Sequence, residues 1–145
     1  MLKLAMVALA FVVHAAAFAQ ATPVGLWKTI DDDTGKEKSL VRITETGSVV
    51  SGTIEKLLDP AKKPDDVCDK CTDDRKGKPL VGLTILRNMK HNVDDPEIWD
   101  SGDITDPNNG KTYRARIKPI EDGKKLQLRG YIGPFYRTQT WIRVE

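Results

Sequence analysis

The sequence has few of the side chains on which hydrolytic and metal-dependent enzymes rely. Its 145 residues include two cysteines and two histidines. His14 lies in an N-terminal apolar run, so His91 is the only histidine in the rest of the sequence. Catalytic zinc usually takes two or three histidines, and a serine or cysteine nucleophile needs a nearby base. We therefore expect a protein that is not an enzyme, with no catalytic residue, no metal site and no cofactor.

The sequence also lacks an excess of charge of one sign. It has 23 lysines and arginines against 21 aspartates and glutamates, and the two signs are interspersed. A protein that binds nucleic acid usually carries a basic patch or stripe. The balance of charge therefore argues against nucleic acid as a partner.

Long hydrophobic runs are absent except near the start. Residues 4–13 are apolar, follow the basic Lys3 and precede the small-x-small cleavage pattern of residues 17–19. This order is typical of a secretory signal peptide, residues 1–19, and of a mature chain that begins at Gln20. An N-terminal anchor is the alternative, but the run is shorter than the roughly 20 residues that span a bilayer. The sequence predicts a periplasmic or secreted protein without stable membrane insertion.

The remainder contains short runs in which apolar and polar residues alternate. Residues 124–144 show the pattern best, with two alternating runs separated by Gly133 and Pro134. Alternation with period two is typical of half-buried strands, and glycine and proline mark the turn between them. Similar or shorter candidate strands occupy residues 24–30, 39–46, 48–57, 80–89, 97–100, 102–105 and 112–120.

This series of candidate strands predicts an all-β fold. Many short strands with regular turns indicate a sandwich or a barrel. An antiparallel meander that ends in a hairpin favours a small barrel of about eight strands, because the last strand then pairs with the first and no edge is exposed. We expect residues 20–145 to form a single domain of this kind.

The alternation stops between residues 58 and 79, a long loop that contains Cys68 and Cys71. A loop of this length within a compact domain is usually functional or mobile. In an exported protein two cysteines normally form a disulfide, which here would pin the loop. A redox function, or a metal site with two further ligands, is the alternative. The aspartates around the pair oppose the redox function, because carboxylates raise the pKa of a thiol.

Acidic and amide side chains crowd residues 103–109. Asp103, Asp106, Asn108 and Asn109 offer the oxygen ligands that calcium prefers. Their spacing does not match an EF-hand loop, and Asp-Pro-Asn-Asn-Gly is a strong turn signal. We interpret this stretch as a turn between two strands.

The GLW sequence at residues 25–27 resembles the Gly-x-Trp signature on the first strand of lipocalin-like barrels. In such barrels the tryptophan closes the floor, and a basic side chain from a late strand lies across it. The resemblance implies this position for Trp27, with Arg129, Arg137 or Arg143 as the cation over its ring.

A broader resemblance covers essentially all of residues 20–145. Its motifs are GLWKT, the Cys-x-x-Cys loop, PLVGLTIL, W-x-x-G-x-I-x-D-P-x-N-G-K-T-Y from Trp99 to Tyr113, and L-x-L-R-G-Y-I-G followed by R-T-Q-T-W. In these motifs the chain resembles DUF2147, a family of uncharacterised exported bacterial proteins similar in fold to lipocalin-like barrels. The resemblance implies a small barrel and no established activity.

An eight-stranded barrel is either filled by side chains or wide enough for one small ligand. We expect the second case, a binding protein for a small amphipathic or lipid-like molecule with residues 58–79 as a lid. Which face of each strand points inward stays open, because a register change of one residue exchanges the faces. The expected ligand-binding residues are Trp27, Arg129, Tyr131, Trp141 and Arg143.

Two other functions stay open from the sequence. A structural or interaction module of the cell envelope would have a solid core and would use its outer face. A thiol or disulfide role would use Cys68 and Cys71. No protein partner can be named from the sequence.

Overall fold

The computed structural model describes residues 21–145, and the predicted signal peptide, residues 1–19, lies outside them. The described chain forms eight strands that follow one another as an antiparallel meander. The strands are β1 (Gly25–Ile30), β2 (Glu37–Thr46), β3 (Val49–Leu57), β4 (Thr84–His91), β5 (Trp99–Asp106), β6 (Lys111–Ile120), β7 (Lys125–Ile132) and β8 (Phe135–Arg143).

The sheet closes into a barrel because β8 pairs with β1. Trp27 lies opposite Arg143 at this seam, and Lys28 lies opposite Ile142. The backbone of Leu26 extends the seam, since it accepts a hydrogen bond from Val144 and donates one to Glu145, each 2.8 Å long. The predicted all-β barrel of about eight antiparallel strands is confirmed.

The pairing of β7 with β8 decides which faces point inward. Leu126 lies opposite Trp141, and Leu128 lies opposite Gln139. Leu126, Leu128 and Trp141 are buried. The aliphatic face of β7 and the Trp141 face of β8 therefore share the interior, which combines apolar with polar side chains.

One end of the barrel is closed by Trp27, which is fully buried. The Arg143 guanidinium carbon lies 4.2 Å from the centroid of the Trp27 ring. Arg143 also donates hydrogen bonds to the backbone carbonyls of Val24, Thr22 and Gly123. Of the three arginines that the sequence offered as the cation over Trp27, it is therefore Arg143 that lies across the ring.

Two strands differ from the prediction. β4 begins at Thr84, four residues later than expected, because residues 80–83 turn irregularly and bury Leu80 and Leu83. The two short pieces expected after residue 96 are one strand, β5, with an irregular register between Trp99 and Gly102. A Cβ atom at Gly102 would overlap the carbonyl oxygen of Arg87, so β4 and β5 approach closely at this irregularity.

The segment between β3 and β4 is a docked structure with fixed contacts. A disulfide joins Cys68 to Cys71, and both sulfur-bearing residues are buried. A β-bridge pairs Val67 with Pro79 at the base of the segment. The disulfide loop rests on the β5–β6 turn, where the backbone of Lys70 approaches Gly110 so closely that no side chain fits between them.

Candidate functional site

A cavity of about 560 Å³ occupies the open end of the barrel. Residues from three connections at this end border it, β1–β2, β3–β4 and β5–β6, together with Ile132 and Phe135 at the facing ends of β7 and β8. The cavity lies opposite the floor formed by Trp27, because alternate strands run from the floor to this mouth. We call the ring of connection and strand-end residues around this mouth the rim.

The inner wall of the cavity is mainly aliphatic. Its side chains come from five strands and from the segment before β4, and all of them are buried: Ile54, Leu80, Ile85, Ile104, Leu128 and Trp141. They point inward because successive side chains of a strand point to opposite faces of the sheet, which leaves most polar residues of the same strands on the outer surface. A ligand in this wall would contact hydrocarbon on most sides.

A few polar groups interrupt the apolar wall, and each has a protein partner. The hydroxyl groups of Thr29 and Ser39 lie 2.7 Å apart. The indole nitrogen of Trp141 donates to Gln139 Oε1 at 3.2 Å, and Gln139 Nε2 lies 3.5 Å from Asp32 Oδ1. This chain of contacts runs from the inner wall to the rim, so it can hold Trp141 in place beside a ligand.

The rim is charged and carries both signs. Five carboxylates border the cavity, and the three cations among its lining residues are Lys38, Lys62 and Arg137. Arg137 Nη2 lies 2.6 Å from Asp32 Oδ2 and 3.5 Å from Asp33 Oδ1. The rim therefore offers water-facing charge above an apolar wall.

The carboxylate oxygens of Asp31, Asp32 and Asp33 lie within 4.8 Å of one another, a spacing that suits a metal ion. Local contacts account for this cluster without an ion. Asp31 Oδ1 accepts backbone hydrogen bonds from Asp33 and Thr34, and these bonds, led by that of Thr34, hold the pKa of Asp31 below its usual value. Asp32 and Asp33 pair with Arg137.

The five residues expected to bind a ligand occupy three different places. Trp141 lines the cavity. Trp27 and Arg143 form the floor, where the Arg143 guanidinium donates hydrogen bonds to three backbone carbonyls. Arg129 and Tyr131 alternate with the cavity-lining Leu128 and Gly130, so they lie on the outer surface. Tyr131 borders an outer depression of about 620 Å³.

Sequence reasoning missed most of the residues that form the cavity. Ile104 belonged to a short piece whose inward face could not be assigned, and Leu80 was placed in a strand. Thr29 and Ser39 stood in recognised strands, and their position opposite each other across β1 and β2 follows only from the register. The alternation in each strand identified a buried face, and strand pairing was needed to bring those faces together.

A closed antiparallel barrel with a floor at one end and an apolar cavity at the other defines a lipocalin-like protein. The family model described as "Uncharacterized protein conserved in bacteria (DUF2147)" matches residues 25–143. The chain belongs to this family, as its motifs indicated.

A solved structure supports the assignment of the fold. The chain is similar to protein HP1028 from Helicobacter pylori, which is described as belonging to the lipocalin family. The similarity covers 86% of this chain and 84% of that chain, with a TM-score of 0.72 and 19% sequence identity. At this identity the likeness shows the fold alone.

No curated protein matches the sequence. Among the described residues, no helix has the length and hydrophobicity needed to cross a membrane.

Proposed function

We propose that this protein is a non-enzymatic binding protein that holds one small amphipathic or lipid-like molecule in its cavity. The observation that carries the proposal is the cavity itself, about 560 Å³ in volume, with an aliphatic wall below a charged rim. Ligand pockets in proteins typically measure about 300–1,000 Å³ and combine apolar walls with a few polar groups. The apolar part of the ligand would lie against Ile104 and Leu128, and its polar part at the rim.

The other two functions considered from the sequence receive less support. A purely structural module would have a solid core, whereas the open end of this barrel encloses a cavity. Thiol–disulfide exchange requires a thiolate to reach a sulfur atom, and Cys68 and Cys71 are 0% and 1% exposed. We infer that their disulfide is a structural link within the segment before β4.

We further infer that the protein acts outside the cytoplasm, in the periplasm or after secretion. The support is the signal-like N-terminal sequence together with a buried disulfide in a bacterial family. Structural disulfides persist in oxidising compartments.

The direct test is native mass spectrometry of the mature protein, purified from periplasm without reductant. We expect a mass two hydrogens below that of the reduced chain, together with a bound small molecule. A titration with the fluorescent fatty acid cis-parinaric acid would measure cavity binding in the same preparation.

A matched pair of variants places the ligand inside or outside the barrel. Ile104→Trp fills the cavity, whereas Ile142→Trp makes the same change on the outer face of β8, where the side chain is 42% exposed. We expect the first variant to weaken probe binding by at least about tenfold, since the wall would then occupy the ligand volume, and the second to leave it unchanged.

If Ile104→Trp unfolds, Leu57→Trp at the half-buried end of β3 provides a second obstruction. Equal binding by the wild type and a folded cavity variant would show that the probe binds elsewhere, and would overturn the proposal.

A further inference from the structure

The hairpin between β7 and β8 ends in an exposed apolar tip beside the mouth of the cavity. Ile132 is 57% exposed and Phe135 is 77% exposed. They lie opposite each other across the turn made by Gly133 and Pro134. Large apolar side chains exposed together, in contact with a ligand cavity, are typical of a surface that meets a partner.

Below this tip the hairpin carries a pair of tyrosines. Tyr131 and Tyr136 are the next opposed pair, and their ring centroids lie 5.5 Å apart. Tyr131 borders the outer depression, and Tyr136, beside the mouth of the cavity, is 54% exposed. A tyrosine has an apolar ring and a polar hydroxyl, which suits it to the boundary between hydrocarbon and water.

Two arginines lie next to the tyrosines. The Arg129 guanidinium is 4.8 Å from the centroid of the Tyr136 ring, and that of Arg114 is 5.8 Å from Tyr131. Neither arginine forms an ion pair within the part of the chain that the structure describes, and the buried Nε of Arg129 has no hydrogen-bond partner. Both guanidinium groups can therefore bind anions supplied from outside.

The sequence of the hairpin adds charge of one sign. Residues 124–144 contain no aspartate or glutamate, and their basic residues are Lys124, Lys125, Arg129, Arg137 and Arg143. Arg137 pairs with Asp32 and Asp33, Lys125 pairs with Glu121, and Arg143 is held in the floor. The cations left beside the apolar tip are Arg129 on β7 and Arg114 on the neighbouring β6, where Asp103 lies opposite Arg114 in the register.

We propose that this hairpin is the site at which the protein docks, reversibly and peripherally, on an anionic lipid bilayer. From the tip inward, the order is apolar side chains, tyrosines and then guanidinium groups. This is the order in which a bilayer presents acyl chains, the headgroup boundary and anionic phosphates. Phe135 and Tyr136 also border the cavity, so docking would bring the mouth to the lipid surface.

Membrane docking goes beyond the proposed ligand binding and can be tested without it. Only the entry of the ligand from the bilayer rests on the proposed function. A lipid-like molecule that leaves the membrane would pass the hairpin tip directly into the aliphatic wall without crossing water.

Co-sedimentation with vesicles tests the docking. We expect the mature protein to bind vesicles of equimolar phosphatidylglycerol and phosphatidylcholine, to bind phosphatidylcholine vesicles far less, and to dissociate as salt is raised. Phe135→Ser should weaken binding to the anionic vesicles about tenfold, because it removes buried apolar area. Arg129→Gln and Arg114→Gln should each weaken it about fivefold, the effect of one cation near an anionic surface.

The opposite end of the barrel provides matched controls. Val93→Ser removes an apolar side chain that is 96% exposed in the β4–β5 connection, so it tests the effect of apolar exposure alone. Lys90→Gln, near the end of β4, tests charge alone. We expect both variants to bind vesicles as the wild type does.

The proposal would be overturned if the protein did not bind vesicles, or if Phe135→Ser and Val93→Ser weakened binding equally. Binding of the tip to an envelope protein, without vesicle binding, would also overturn it. The cavity is tested separately with cis-parinaric acid supplied in solution, which Arg114→Gln, a change outside the cavity, should bind with unchanged affinity. Vesicle binding without probe binding would refute the ligand function and leave docking intact.

Discussion

Arg75 is the one charged side chain that is buried among residues 21–145. Its guanidinium donates to the Asp73 carboxylate through Nε and Nη2, and to the carbonyl of Thr84 through Nη1 at 3.1 Å. These contacts attach the segment before β4 to the start of that strand. A buried cation needs such partners, because an unpaired charge away from water is costly.

We expect Asp73→Asn to destabilise the protein by about 1–2 kcal/mol, an effect reduced by the water around the half-exposed carboxylate. The matched control is Asp74→Asn, whose partner Arg87 lies at the surface, and it should change the free energy of unfolding little. Urea unfolding of the three proteins measures the difference. Equal stability of the two variants would contradict the role given to Asp73.

The Asp73 pair also predicts a dependence on pH. Hydrogen bonds from Arg75 hold the pKa of Asp73 well below its usual range. A carboxyl whose pKa is lower in the folded state contributes stability above its unfolded pKa of about 3.9, and this contribution falls as the pH drops below that value. The difference in unfolding free energy between wild type and Asp73→Asn should therefore be constant near neutral pH and shrink below about pH 4. A gap that stayed constant down to pH 2 would show that the carboxylate charge is not involved.

At the same scale, the sequence identified some residues and misplaced others for physical reasons. Trp27 could be predicted as the floor residue from its Gly-x-Trp motif, and Trp141 stood among the expected ligand-binding residues; both are buried. Arg129 and Tyr131 share a strand with inward-pointing residues, and only the pairing of β7 with β8 showed that they lie outside. The ion pair of Arg137 with Asp32 joins residues that are 105 apart in sequence, and no local pattern contains it.

Among the elements, the β5–β6 turn supports the disulfide loop. Gly110 has a φ of +72°, and a Cβ there would overlap the backbone of Lys70. Gly47, in the β2–β3 turn, has a φ of +56° with no atom within 4 Å of a Cβ. The two glycines share a left-handed dihedral, which would be strained for any residue with a Cβ, and differ in the space beside them.

Alanine substitutions at these glycines separate strain from contact. We expect Gly47→Ala to cost about 1 kcal/mol from the left-handed dihedral alone. Gly110→Ala should cost at least about 1 kcal/mol more, since the disulfide loop must move away from the turn. Hydrogen exchange at residues 66–80 should accelerate in Gly110→Ala and not in Gly47→Ala. The same exchange rates in both variants would show that the turn does not hold the loop.

The strands themselves were largely predictable, because alternation and turn residues are local signals. β5 appeared as two pieces because its irregular register breaks the alternation after Trp99. Residues 58–79 showed no alternation, because their structure depends on the disulfide, on Arg75 and on docking against Gly110 of the β5–β6 turn. Leu80 stood in an apolar run that resembled a strand, and the irregular turn that directs it into the cavity wall left no local signal.

At the scale of the whole molecule, the seam between β1 and β8 closes the barrel, and it has fewer paired residues than any other pair of neighbouring strands. Removal of Val144 and Glu145 deletes three backbone hydrogen bonds with Leu26 and the contact of the Glu145 carboxylate with Arg42 at 2.6 Å. We expect this truncation to cost about 2–3 kcal/mol of unfolding free energy. Glu145→Ala keeps the backbone bonds and should change the free energy of unfolding little, because the ion pair with Arg42 is exposed to solvent. Equal losses in thermal or urea unfolding would show that the seam depends on the ion pair.

The seam also sets an order of events during synthesis. β1 leaves the ribosome first among the strands and β8 last, so β1 has one unpaired edge until almost the whole barrel has been made. Such an edge can pair with another chain, and long-range closure is slow. A nascent chain that lacks β8 cannot complete the barrel, and the cavity forms only after translation has passed residue 143. Any factor that shields the early strands would have to act before that point.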